Sequence, residues 1–264
     1  MPDKEENWEF GIQEEGHTVG KDDEIGEVIL GENGFTYKLS GKDWGNIPEG
    51  WTYKEATAVD VDSKDRVYVF NRGTVPMIIF DTQGNILDTW GEGVFSNPHG
   101  VTIGPDDEVF CVDNGDSTVR KFTSDGKLLM TLGTPGPGAP PMSGKPFAKP
   151  THVAVEPATG NFYVADGYSN AVVHKYSPDG NLLFSWGESG TGEGQFNIVH
   201  GVVVDSDGWV YIADRENHRI QVFSSEGKYE TQWLNMSRAA IMCLDGGSGS
   251  DLMYVGEYFA GIAS

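Results

Sequence analysis

A hairpin signal recurs four times along the chain at a spacing that leaves few folds open. Thr82-Gln83-Gly84, Ser124-Asp125-Gly126, Pro178-Asp179-Gly180 and Ser225-Glu226-Gly227 each join two β-rich runs, and their glycines recur at intervals of 42, 54 and 47 residues. Short strands repeated every 40–50 residues are the sequence mark of a β-propeller, in which each repeat is one four-stranded blade. The flanking runs repeat in phase. Val59-Asp60-Val61, Gly100-Val101-Thr102-Ile103, Val153-Ala154-Val155 and Gly201-Val202-Val203-Val204 read as first strands. Val67-Tyr68-Val69-Phe70, Val109-Phe110-Cys111-Val112-Asp113, Phe162-Tyr163-Val164-Ala165-Asp166 and Val210-Tyr211-Ile212-Ala213-Asp214 read as second strands. Trp90-Gly91, Leu132-Gly133, Trp186-Gly187 and Trp233 close the fourth strands. Alternation of apolar and polar residues between turn residues supports strands over helices, and no amphipathic helix stands out.

The reading is therefore an all-β propeller of four-stranded blades, with residues 1–264 as one domain. Residues 1–50 form an N-terminal extension plus a closing half-blade, residues 51–235 four full repeats, and residues 236–264 a partial blade. The segment Phe35 to Gly45 resembles the last half of a blade, and Ala240 to Glu257 a first half. These halves either close a five-bladed ring or belong to a six-bladed parent whose last blade is incomplete or missing.

Charge narrows the partners. With 40 acidic against 18 Lys and Arg residues the formal charge is −22, which repels a phosphate backbone and disfavours nucleic acid as a partner. Two cysteines make neither a disulfide framework nor a cysteine-based zinc site. No run of about 18 apolar residues would span a membrane, and Met1-Pro2-Asp3-Lys4-Glu5-Glu6 lacks a basic n-region. The expectation is a cytoplasmic protein as the sequence stands, or a secreted one if a signal was removed.

Blade geometry sorts the polar residues. The start of each first strand and the end of each second strand lie on one face. His99 and His200 precede first strands two repeats apart, while Arg72, Tyr168 and Arg215 follow second strands. In a six-bladed ring, alternate blades stand about 120° apart, so histidines in this phase point at one axial metal, as in three-histidine zinc sites. A lone histidine beside a strand is usually structural, and repetition alone can produce the coincidence; two in phase make ligation a matched alternative. The blade between them carries Thr151 at this position. His152, one residue on, is expected to face away, and His17, His174 and His218 read as surface residues. For Arg72, Tyr168 and Arg215 taken singly, a solvated loop or an inter-blade hydrogen bond is the simpler reading.

Phe70-Asn71-Arg72-Gly73, Asn97-Pro98-His99-Gly100-Val101, Pro150-Thr151-His152-Val153-Ala154, Ala165-Asp166-Gly167-Tyr168-Ser169-Asn170 and Ala213-Asp214-Arg215-Glu216-Asn217 carry a resemblance over about residues 55–235. The repeats resemble NHL repeats, and the segments are similar to those of the peptidyl-α-hydroxyglycine α-amidating lyases. The resemblance implies a six-bladed NHL-type propeller with an axial zinc and a structural calcium. The implied reaction cleaves a peptidyl- or N-acyl-α-hydroxyglycine to an amide and glyoxylate. Matched by motif, His99 and His200 would be two zinc ligands, Tyr168 the base on the substrate hydroxyl, and Arg72 a partner of the tyrosinate or the substrate carboxylate. Arg215 would line the same pocket, and the backbone carbonyls of Val59 and Val101 would ligate calcium. Such chemistry needs a base, and an ordinary phenol with a pKa of about 10 needs nearby cations to serve at neutral pH. The family's third histidine would fall roughly 100 residues beyond His200, past Ser264, and Asn71 stands where the family has a histidine.

Two other readings remain open on the sequence. One is a non-catalytic NHL propeller presenting a face to a protein or peptide. The other is a lactonase-like hydrolase recruiting Asp113, Asn114, Asp166 and Asp214 around calcium.

Overall fold

The computed structural model describes residues 29–30, 37–38, 44–245 and 252–258. The chain divides into a unit of residues 1–44 and a unit of residues 45–264. In the first, Ile29–Leu30 pairs antiparallel with Tyr37–Lys38; most of the expected closing half-blade lies outside the described residues.

The second unit is built from four antiparallel four-stranded sheets. Blade 1 comprises Ala56–Val61, Val67–Asn71, Met77–Phe80 and Ile86–Trp90; blade 2 comprises Pro98–Ile103, Val109–Asp113, Thr118–Phe122 and Leu128–Leu132. Blade 3 comprises His152–Val155, Phe162–Asp166, Val172–Tyr176 and Leu182–Trp186; blade 4 comprises Val199–Val204, Val210–Asp214, Arg219–Phe223 and Tyr229–Trp233. Within every blade the strands pair in sequence order. A two-stranded sheet, Arg238–Leu244 with Met253–Tyr258, follows as the start of a fifth.

Apolar residues from facing sheets make the core. Tyr68, Phe70, Met77 and Ile79 of blade 1 meet Val101, Val109, Cys111 and Phe122 of blade 2. The same layer recurs between blades 2 and 3, around Phe110, Phe162 and Tyr176, and between blades 3 and 4, around Tyr163, Ile212 and Phe223. Each large side chain so buried contributes about 1.5–3 kcal/mol relative to exposure. The outer face of blade 1, around Val69, Ile78 and Phe80, is covered by Ile47, Trp51 and Tyr53.

The repeated hairpin glycines carry two constraints at once. Gly126 has φ +83°, open to glycine but costly for other residues. A Cβ placed there would also lie 2.6 Å from the ring of Trp90 in the preceding blade; at Gly227 it would lie 3.0 Å from Trp186. The recurrence of glycine and tryptophan is thus one contact, in which the tip of one blade rests on the last strand of its neighbour.

The first strands line a cavity of about 730 Å³, to which blades 1 to 4 and the two-stranded sheet all contribute. Side chains on these strands bind the next blade. Thr102 Oγ1 donates to the Val153 carbonyl (2.7 Å), Thr151 Oγ1 to Val199 (2.9 Å) and His152 Nδ1 to Val202 (3.0 Å). His152 therefore does not face away. It is buried, lines the axial cavity and ties blade 3 to blade 4. His174 is also no surface residue: it lies fully buried between Ser185 Oγ and Asp166. His218 is exposed as expected, and His17 lies outside the described residues.

Gly126→Ala is expected to destabilise the protein by about 2–4 kcal/mol, through the left-handed backbone and the clash with Trp90. Gly93→Ala, with φ +70° and open space around it, is expected to lose only about 1–2 kcal/mol. Urea unfolding of the two variants measures the difference.

Candidate functional site

The five described second strands carry a polar residue at or next to their last position, Asn71, Asp113, Asp166, Asp214 and Glu257. Four of them hold the chain entering their own blade. Asp113 accepts the N–H groups of Ser96 (2.6 Å) and Asn97 (2.9 Å), and Asp166 that of Ala148 (2.9 Å). Asp214 accepts from Asn197 (2.7 Å) and Glu257 from Ser237 (2.7 Å). Asp166 also binds Asn170 and His174, and Asp214 also binds Arg219 and Gln221. Asp113, Asp166 and Asp214 are fully buried, and these bonds occupy the oxygens that a lactonase-like calcium site would require.

What these pins deliver is the start of their own blade's first strand. In blades 2 and 4 that start is a β-bulge, between Pro98 and Val101 and between Val199 and Gly201. A bulge re-aims the side chain it contains, here His99 and His200. The glycine after each histidine admits the neighbouring backbone. A Cβ at Gly100 would lie 2.6 Å from the Thr151 carbonyl oxygen, and one at Gly201 2.8 Å from that of Ala240. Those same carbonyls accept the Nδ1 hydrogens of His99 and His200, each at 2.8 Å. Since a carbonyl can only accept, both rings are held as the Nδ1–H tautomer with the Nε2 lone pair free.

Both Nε2 atoms face one phenol. His99 Nε2 lies 3.1 Å and His200 Nε2 3.0 Å from the Tyr168 hydroxyl. The three rings pack edge to face, with centroids 5.1–5.5 Å apart. Arg215 lies over the Tyr168 ring, its guanidinium carbon 5.6 Å from the centroid, and on its other side over Tyr258 at 5.4 Å. Its Nε binds Glu216 (3.0 Å), which also holds Arg238 (3.1 Å). Arg72 stands further out, paired with Glu55 and donating from Nε to the Pro98 carbonyl (3.1 Å).

Burial makes this cluster electron-rich. His99, only 9% exposed, is pushed down to about 4 by burial first and by the Arg72 and Arg215 charges. His200 is pushed down to about 3 by burial, then by His99 and Arg215. Neutral at pH 7, the two imidazoles present two Nε2 lone pairs to a single phenol hydrogen, so one lone pair always lacks a donor. That deficit suits a cation. The donor spacing is close to the edge of a zinc tetrahedron, about 3.3 Å for bonds of about 2.0–2.1 Å. His99 and His200 therefore offer two donors of the kind zinc takes, beside Tyr168, and no cluster of three His, Cys, Asp or Glu residues suited to a metal occurs among the described residues.

Val59 and Val101 also line the axial cavity, Val59 with its side chain 63% exposed and Val101 at 2%. The donors there are poorer. Asp60 is turned to the N–H groups of Ile103 (2.6 Å) and Val61 (2.8 Å), and Asp107 binds Ser63. Calcium takes six to eight oxygens, and the lining carries Asp60, Ser63, Thr102 and Asp107 beside the two valines.

So the sequence-predicted residues His99, His200, Tyr168 and Arg215 come together, Arg72 borders the group, and the two valines stand apart. Glu55, Glu216 and Tyr258 complete the site. Glu216 was legible as the neighbour of Arg215, whereas Glu55 and Tyr258 lie too far along the chain from their partners for spacing to reveal them.

The sheets define an all-β propeller-type fold of four-stranded blades. The NHL repeat family profile matches residues 196–223. Homologues include the peptidyl-α-hydroxyglycine α-amidating lyase 1 of Drosophila melanogaster, 40% identical over 165 residues that cover 58% of this chain and 30% of that protein. They also include NHL repeat-containing protein 3 of Homo sapiens, 37% identical over 73% of this chain and 58% of its own length. Peptidyl-glycine α-amidating monooxygenase B of Xenopus laevis is 36% identical over 63% of this chain and 20% of its own. The match thus spans a fifth to under three fifths of these relatives. Among solved structures, a nidogen/laminin complex chain has TM-score 0.58 at 15% identity, covering 76% of this chain and 71% of that one. A virginiamycin B lyase from Staphylococcus aureus has TM-score 0.55 at 12% identity, covering 84% and 73%. Both are likenesses of fold.

Low histidine pKa values set a pH dependence. His99, His200 and His152, the last also pushed to about 4 by burial, bind protons in the unfolded chain near pH 6.5 but not in the fold. Their contribution is complete above pH 6.5 and is lost as pH falls toward 4. Melting of the metal-free protein is expected to show His152→Gln losing less stability than the parent between pH 7 and pH 5, by on the order of 1–2 kcal/mol.

Proposed function

We propose that this propeller is a zinc-dependent lyase of the amidating type, cleaving peptidyl- or N-acyl-α-hydroxyglycines to an amide and glyoxylate. The observation that carries the reading is the convergence of two tautomer-locked Nε2 atoms on the Tyr168 hydroxyl beneath Arg215. The homologues named as α-amidating lyases supply the reaction class.

In the proposed reaction the carbinol O–H of the substrate loses its proton, its oxygen forms the aldehyde of glyoxylate, the C–N bond breaks, and the leaving amide nitrogen takes a proton. Zinc bound by His99 and His200 would supply Lewis acidity to the substrate hydroxyl. With its own phenol proton released to solvent when the metal is bound, Tyr168 as tyrosinate would accept the hydroxyl proton and return it to the leaving nitrogen, so the turnover itself exchanges no net proton. His99 and His200, fixed by the Thr151 and Ala240 carbonyls, hold their Nε2 atoms in place without rotating. Arg215 sets a positive charge beside the reacting oxygens, and Glu216 holds that guanidinium in position.

A second reading, a propeller that binds a peptide or protein without turnover, draws on the similarity to NHL repeat-containing protein 3. Turnover separates the two. With zinc supplied, the protein is expected to release glyoxylate from N-benzoyl-α-hydroxyglycine, and Tyr168→Phe to slow release by about 10²–10⁴-fold, the usual contribution of a general base. Undiminished release by that variant would remove Tyr168 from the mechanism; a parent without release would favour the binding reading.

A further inference from the structure

Beside Tyr168 lies a second, polar cavity of about 350 Å³, lined by Asn97, Asn114, Gly115, Lys149, Tyr168 and Ser169. We propose that Lys149 binds the carboxylate of the α-hydroxyglycine substrate in this cavity, a role that rests on the lyase reading and assigns the anion subsite of the same site.

Three observations support it. First, the arginines nearest the reacting phenol are already engaged. Arg72 pairs with Glu55 and the Pro98 carbonyl, and Arg215 pairs with Glu216 and stacks between Tyr168 and Tyr258. Among the described residues, Lys149 is in no ion pair, although it opens on a cavity that contains Tyr168. A carboxylate there would gain a cation without displacing another acid.

Second, the backbone at Lys149 is tied to the reacting residue and held in a conformation lysine does not favour. Its φ is +61°. Its carbonyl accepts the Tyr168 N–H (3.3 Å) and its own N–H donates to Ser117 Oγ (3.3 Å). A left-handed turn here would be served better by glycine. Strained residues often cluster at binding sites, and this one is bonded through its backbone to Tyr168.

Third, the wall opposite is suited to an anion. Asn114 is 7% exposed, and its Oδ1 accepts from Asn97 Nδ2 at 2.6 Å. That bond fixes the amide orientation and leaves the Asn114 NH2 donors without a partner among the described residues. A buried amide donor and an exposed lysine lining the same small polar cavity match a carboxylate. With the glyoxylate end held there, the neighbouring carbinol is presented to the Tyr168 hydroxyl.

The test compares N-benzoyl-α-hydroxyglycine with its methyl ester, following benzamide release by the parent, Lys149→Gly and Lys149→Arg. Removing one charge-assisted contact is expected to raise KM for the acid on the order of tenfold. KM for the ester, kcat and Tm are expected to hold, since glycine relieves the backbone. Lys149→Arg is expected to recover most of the loss. An unchanged KM for the acid, or equal increases for acid and ester, would overturn the proposal. Calorimetric titration with glyoxylate tests the subsite without turnover. Weaker glyoxylate binding by Lys149→Gly in a protein that cleaves neither compound would sink the lyase reading and leave the anion site standing. Equal glyoxylate affinity in parent and variant would overturn the anion site whatever the turnover.

Discussion

At the start of blades 2, 3 and 4 side chains reach sideways to a carbonyl on the next first strand, and the arrangement of the second unit around its cavity depends on that contact. His99 bonds to Thr151, Thr102 to Val153, Thr151 to Val199, His152 to Val202 and His200 to Ala240. Carbonyls at a sheet's inner edge need donors once water is excluded, and these side chains provide them. The same bonds set the spacing between blades around the axial cavity. For the two bulge histidines they also fix the tautomer, so one hydrogen bond serves both the assembly of the blades and the chemistry of the ring nitrogen.

The acidic residues closing the second strands do the complementary work on the rim. Asp113, Asp166, Asp214 and Glu257 gather the incoming connections, which places the strand starts where a bulge can turn a histidine toward the axis. A chain with formal charge −22 therefore buries several of its acids as backbone acceptors, while His99, His200, Arg72, Lys149 and Arg215 collect around a single tyrosine. The buried carboxylates hold the frame, and the basic and aromatic groups form the candidate site.

The blade repeat was legible because its causes are local. Turn glycines, alternating strands and closing tryptophans each answer to a contact within a blade or with the next one. The pairing of His99 with His200 was legible because it is a matter of phase between repeats. His152 was misplaced because simple alternation assumes equal strand starts. Blades 2 and 4 begin with bulges and blade 3 does not, so residues one step apart in the sequence repeat need not point to opposite sides. The burial of His174 depends on Asp166 and Ser185 from adjoining strands, contacts that no spacing rule encodes. Lys149 carried no motif, and its placement follows from a backbone turn visible only in three dimensions. The His-Gly pairs at 99–100 and 200–201 did carry a readable signal: a glycine beside a functional side chain marks the close approach of another backbone.

The central claim is that His99 and His200 present free Nε2 atoms to one shared ligand position at Tyr168. Long-range ¹⁵N–¹H NMR of the histidine rings at pH 7, before and after one equivalent of zinc, tests it directly. The account predicts neutral Nδ1–H tautomers for both rings at the outset, and shifts of both Nε2 resonances that saturate together at one equivalent. Nε2–H tautomers in the metal-free protein, or Nε2 resonances indifferent to zinc, would contradict it.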